Sequence, residues 1–115
     1  MTAPADLLRE NRLATEHRLA VLDAEIAELR RGRAAESADD EHDPEGVTLS
    51  GEWSRLEGLR AGAASELVDI DAAQARVERG TYGVCVDCGR SIPPARLEAR
   101  PTATRCVDCA AKAAR

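Results

Sequence analysis

The chain has 115 residues and 43% apolar content, yet it contains no Phe, one Trp and one Tyr. So few aromatics exclude a large globular core, because those side chains carry much of core burial; one domain of long helices with Ala and Leu seams fits better. The net charge of −5 is uneven: residues 36–45 hold Glu36, Asp39, Asp40, Glu41, Asp43 and Glu45 with no Lys or Arg, while the remainder has 16 Lys or Arg and 15 acidic residues, a balance that excludes a duplex-binding footprint.

Residues 4–33 are predicted to form one long helix. Pro4 is tolerated in a first turn, and Asp6 and Glu10 suit the positive end of the helix dipole. Leu19, Leu22, Ile26 and Leu29 recur at steps of three, four and three, a heptad-like seam. Carried backwards, that seam meets Leu8, Arg12 and Thr15, a weaker start. Arg30, Arg31 and Arg33 suit the C-terminal end, and Gly32 with the polar run after it predicts the stop. Residues 34–50 read as a break, with Pro44 and Gly46 as turn formers. Residues 51–79 are predicted as a second helix capped by Thr48 or Ser50. Its seam is Leu49, Trp53, Leu56, Arg60, Ala63, Leu67, Ile70, Gln74 and Val77. Gly58 and Gly62 either admit the other helix closely or mark a softer segment. Neither helix can bury its seam alone, so the two are expected to pack as an antiparallel hairpin, residues 1–79, with an acidic tip at about 34–50. Residues 80–115 form the second part. A short helix over 107–115 is expected from its helix formers.

All four cysteines lie in two pairs, Cys85-Val86-Asp87-Cys88 and Cys106-Val107-Asp108-Cys109, with seventeen residues between them. A Cys-x-x-Cys turn offers two thiolates to one cation, and two such turns close a tetrahedral sulfur cage that suits Zn²⁺. The spacing is that of a zinc site. Gly89 stands where a positive φ is often needed after such a knuckle. Iron in the same cage stays open from sequence. Two disulfides are disfavoured because no secretory leader is present, and a redox pair would need a strand before it, where the sequence is helical up to Gly80. Four thiolates leave a zinc ion no open position, so the expected role is one structural Zn²⁺ held by Cys85, Cys88, Cys106 and Cys109. From Arg79 onward there are seven basic residues against three acidic ones.

The stretch Gly80-Thr81-Tyr82-Gly83-Val84-Cys85-Val86-Asp87-Cys88-Gly89, then Ile92-Pro93, then Arg96-Leu97-Glu98-Ala99-Arg100-Pro101-Thr102-Ala103 and Cys106-Val107-Asp108-Cys109 resembles the DksA/TraR family of bacterial transcription factors. The resemblance is close over the last third and covers the layout of the rest. It implies a protein that binds RNA polymerase through the secondary channel, with the hairpin tip near the active centre, and so modulates initiation. Family tips carry two aspartates as Asp-x-x-Asp-x-Ala. Asp40 and Asp43 supply them here, with Glu45 in place of the alanine; a second register sets Asp43 first and Gly46 second. Some family members respond to the alarmone ppGpp through basic residues whose positions fall on Asp69, Arg100 and Ala110. Only Arg100 keeps the charge, which implies weak or absent ppGpp dependence.

Other readings fare less well. No Ser-His-Asp, Cys-His or paired-carboxylate arrangement points to an enzyme; His17 reads as a helix-surface residue and His42 as part of the break. The acidic balance and the lack of a basic recognition helix disfavour direct sequence-specific DNA binding. No apolar run reaches membrane-span length, and a cytoplasmic protein is expected. The alternative function is a zinc-stapled helical-hairpin adaptor that binds some other protein.

Overall fold

A computed structural model describes residues 3–36 and 45–114. Their architecture is mainly α: helix α1 spans Pro4–Glu36, α2 Glu45–Arg79, α3 Pro94–Ala99 and α4 Val107–Ala113. The only β pairing among the described residues is an isolated antiparallel bridge between Val84 and Ser91. Both long helices outrun the expected break of 34–50. α1 continues through Gly32 because Arg, Ala and Glu around it are strong helix formers, and one glycine costs only about 1 kcal/mol. α2 begins at Glu45, so Thr48 and Ser50 are interior residues of the helix rather than its caps. Nothing after Pro44 forbids helical backbone, and an acidic residue suits a helix start. Asp40, His42 and Asp43 lie outside the described residues, as does the side chain of Leu49.

The chain forms two compact units, Ala14–Glu66 and Met1–Leu13 with Leu67–Arg115. In Ala14–Glu66, Leu22 and Ile26 of α1 pack with Leu56 and Ala63 of α2, flanked by Leu19, Leu29 and Trp53. Each buried Leu or Ile contributes about 2 kcal/mol by leaving water. Thr15 is fully buried. Charged groups bracket the seam: Arg18 donates to Glu66 at 2.6 Å, Arg60 pairs with Asp23, and the Arg30 guanidinium lies 4.9 Å from the centre of the Trp53 ring. Partners rise from 18 to 30 on α1 as they fall from 66 to 53 on α2, the mark of antiparallel pairing. The pairs are half exposed, so each contributes less than about 1 kcal/mol. A Cβ on Gly58 or Gly62 would meet nothing within 4 Å, which rules out close helix approach as their purpose.

In the other unit, Leu8 and Ile70 are fully buried together with Ala73. The weak start of the first seam is thus a working one. Leu8 faces inward here, as Thr15 does in Ala14–Glu66, and Arg12 takes its seam position by donating to Asp71 and, at 2.7 Å, to Gln74 Oε1. Its aliphatic stem covers the seam while its head group meets two acceptors. The seam position of Gln74, unexplained by hydrophobicity, is accounted for by this bond.

Ile70→Ala should lower stability by about 3 kcal/mol through cavity formation, whereas Val68→Ala, at a position 66% exposed, should change it by less than about 0.5 kcal/mol. Urea denaturation of both variants checks this; equal effects would mean that the seam does not run through Ile70.

Candidate metal centre

The centre is built from the end of α2. Gly80, at φ 77°, stops the helix. Its N–H donates to the Val77 carbonyl at 3.1 Å, and the Thr81 N–H donates to that of Arg76 at 2.9 Å, the two bonds of a Schellman cap. The chain then passes Gly83, at φ 83°, a backbone conformation that side chains rarely adopt; an added Cβ would lie 3.4 Å from Leu97 Cδ1. Across the bridge, the Ile92 N–H donates to Gly83 O at 2.7 Å and the Cys85 N–H to Arg90 O at 2.8 Å. The first knuckle closes when the Gly89 N–H donates to Cys85 O at 3.0 Å, with Gly89 at φ 75° as the motif predicts.

The seventeen residues between the knuckles are ordered by α3, an element that sequence reasoning passed over. Its signal was present: Pro94 sits in the first turn, followed by Ala, Arg, Leu, Glu and Ala. Pro101 disfavours helical backbone at Arg100, which ends the helix at φ −137°. The returning chain is tied on three sides. The Tyr82 hydroxyl donates to Pro101 O at 2.8 Å, Arg96 Nε to Arg105 O at 2.8 Å, and the Val86 N–H to Thr104 O at 2.9 Å. Cys106 then stands, in extended backbone, at the N-cap position of α4, and Cys109 sits in its first turn.

These ties bring the sulfur atoms of Cys85, Cys88, Cys106 and Cys109 within 4.8 Å of one another. Cys88 and Cys106 approach to 3.9 Å, and none of the four is in a disulfide. A tetrahedron with Zn–S bonds of about 2.3 Å has edges of about 3.8 Å, so the donor set fits that ion. Cys85 is buried and Cys88 exposed. Backbone amides of Cys88 and Cys106 lower the Cys85 thiol to about 6. Hydrogen bonding with Cys106 pushes the Cys109 thiol up to about 12. Thiols this crowded keep protons among them unless a cation binds all four as thiolates and offsets part of their repulsion.

The described arginines of this segment divide into two sets. Arg105 pairs with Asp87 of the first knuckle at 2.6 Å, and Arg96 is spent on the Arg105 carbonyl. Arg79, Arg90 and Arg100 are exposed and form no ion pair among the described residues. Arg100 and Ala110 line one depression; Asp69 is exposed on α2 and His17 on α1.

Residues 80–115 match the family model described as prokaryotic dksA/traR C4-type zinc finger. Over 89 residues the chain is 35% identical to an uncharacterized protein of Aquifex aeolicus, covering 77% of this chain and 60% of that protein. Over 39 residues it is 59% identical to the RNA polymerase-binding transcription factor DksA of Caulobacter vibrioides, covering 34% of this chain and 28% of that protein. The chain thus spans less than two thirds of either relative. In three dimensions, 94% of the chain matches 78% of transcription factor DksA2 from Pseudomonas aeruginosa, with a TM-score of 0.77 and 26% identity. The C4-type motif and the clustered thiols make the cofactor a structural zinc ion. Finger, helix pair and fold agree: residues 80–115 are a zinc finger of the dksA/traR C4 type, and the chain as a whole is similar to the DksA/TraR proteins.

Proposed function

We propose that this chain binds RNA polymerase through the secondary channel and modulates initiation. The observation that carries this reading is the likeness to DksA2 over 94% of the chain, together with the finger motif. The name of the Caulobacter relative supplies the partner. Asp40 and Asp43, between the two long helices, act near the polymerase active centre, where carboxylates bind basic groups or disturb a Mg²⁺ that favours oxygen ligands. Arg79, Arg90 and Arg100 grip an acidic surface on the polymerase, since Arg96 and Arg105 serve the finger itself. The protein acts in the cytoplasm, catalyses no reaction and makes no sequence-specific contact with DNA. Among the described residues no helix is long and apolar enough to cross a membrane.

The test is retention of the wild-type protein by purified core RNA polymerase, competed by a known secondary-channel factor. Retention that the competitor removes supports the reading; no retention of the folded, zinc-loaded chain would leave the adaptor alternative in its place. Asp40→Asn with Asp43→Asn should keep retention and melting unchanged while abolishing the effect on transcription. Full activity of that double variant would refute the role of the tip.

We assign the zinc ion to Cys85, Cys88, Cys106 and Cys109, and residues 80–115 to one functional part, with residues 1–79 as the other. Cys85→Ser should lose the one equivalent of zinc per chain and the protection of amides 81–106 against exchange, as should a strong chelator acting on the wild type. Zinc analysis and hydrogen exchange read both effects; a variant that keeps its zinc and its protection would remove Cys85 from the ligand set. Finally, ppGpp should add little to the effect on transcription, since Ala110 brings no charge to the depression lined by Arg100 and Asp69 brings the wrong sign. Strong synergy in a purified transcription assay would overturn this.

A further inference from the structure

We propose that Arg105 and Asp87 form a latch across the exposed edge of the sulfur cage and set how slowly the bound ion leaves it. The latch rests on the assignment of zinc to the four cysteines and adds two residues that bind no metal themselves. The chain segments that lead into the two knuckles are joined by three successive links, each spanning eighteen residues of sequence. The Val86 N–H donates to Thr104 O at 2.9 Å, Arg105 Nε donates to Asp87 Oδ2 at 2.6 Å, and the sulfur atoms of Cys88 and Cys106 lie 3.9 Å apart. The ion pair is thus the middle rung, directly before the rung made of two metal ligands. Arg96 steadies it from behind, since its Nε donates at 2.8 Å to Arg105 O, on the peptide that joins Arg105 to Cys106.

Exposure singles out this edge of the cage. Cys85 is buried, Cys106 and Cys109 are half-buried and Cys88 is exposed, so water and competing ligands meet the cage first at Cys88. Each knuckle is held internally: the Gly89 N–H donates to Cys85 O at 3.0 Å, and the Ala110 N–H donates to Cys106 O at 2.9 Å. Asp87 and Arg105 each stand immediately before a ligand, so parting Cys88 from Cys106 stretches the bond between them. The pair is partly exposed, and in isolation such a pair contributes little. Its position supplies the effect, because groups that orient metal ligands typically change metal affinity by about 10–100-fold. Charge alone would act differently. Four thiolates and one Zn²⁺ leave a net charge of about −2, which Arg105 offsets and Asp87 increases. A purely electrostatic role would therefore give the two residues opposite effects, whereas a latch gives them the same effect.

The test follows zinc transfer from the full, loaded chain to a chromogenic chelator, at chelator concentrations where the rate has become constant. Asp87→Ala, Arg105→Ala and the double variant remove the latch but leave the Arg105 carbonyl to Arg96. Arg105→Lys keeps a charge and a donor that can reach Asp87. Arg90→Ala removes an exposed charge from the same finger. Each chain is loaded with zinc before the chase, and melting of the helices checks the fold. The expected result is release about fivefold faster or more from each single Ala variant, with the double variant within about twofold of the faster single. Arg105→Lys and Arg90→Ala should stay within about threefold of the wild type. Brief alkylation during the chase should label Cys88 and Cys106 before Cys85 and Cys109. Slower release from Asp87→Ala would reduce the pair to charge balance and overturn the latch. So would multiplied effects in the double variant, equal acceleration by Arg90→Ala, or labelling that begins at Cys85 or Cys109. Where an Ala variant sheds its zinc during loading, Arg105→Lys decides: release like the wild type supports the latch, and loss like the Ala variant overturns it. A wild type that takes up no zinc would overturn the metal assignment and the latch with it; the other adverse outcomes leave that assignment standing.

Discussion

The crowding of four thiols within 4.8 Å is the constraint on which the C-terminal third depends. Among the described residues of 80–115 the buried side chains are Cys85 and Ile92, and neither α3 nor α4 buries a residue. Two side chains cannot offset the entropy of ordering more than thirty residues at about 1–2 kcal/mol each. Hydrogen bonds from Tyr82, Arg96 and Val86 direct the path, but each is worth only about 1 kcal/mol net. A divalent ion supplies what a core would supply elsewhere. It relieves the thiolate repulsion and joins two knuckles that lie far apart in sequence. Without it the Cys85 and Cys109 thiols are pulled in opposite directions, to about 6 and about 12.

The long helices meet a different constraint, since a two-helix seam is narrow and each side of it faces water. Leucine and isoleucine provide the energy, and charged side chains mark the register. Arg12 with Asp71 and Gln74, Arg18 with Glu66 and Arg60 with Asp23 each require one alignment of the two helices. Their exposure keeps each contribution small, and their shared register is what gives them structural weight. Arg12 combines both roles, because its stem fills a seam position that no aliphatic residue occupies.

Charge is also distributed by task. Arg96 and Arg105 hold the two halves of the finger together, while Arg79, Arg90 and Arg100 stay exposed. On the helices, Glu52 and Glu66 are bound by arginines. Residues of one type in one short segment thus serve folding in some positions and remain available to partners in others.

The sequence by itself determined the class of fold, the antiparallel seam and the sulfur cage. Those features rest on periodicity and on Cys-x-x-Cys spacing, which are local or nearly so. Gly89 was legible for the same reason, because a knuckle needs positive φ immediately after its second cysteine. The ends of the helices were not legible at 33 and 51, since a single glycine or serine weighs little against a run of helix formers. α3 was overlooked although Pro94 signalled its first turn, because a six-residue helix has too little periodicity to stand out. Only the tertiary structure decided which arginines are consumed inside the finger and why Arg12 and Gln74 belong in a hydrophobic seam. Each of those depends on residues distant in the chain, and distance in sequence hides the partner that gives a side chain its task.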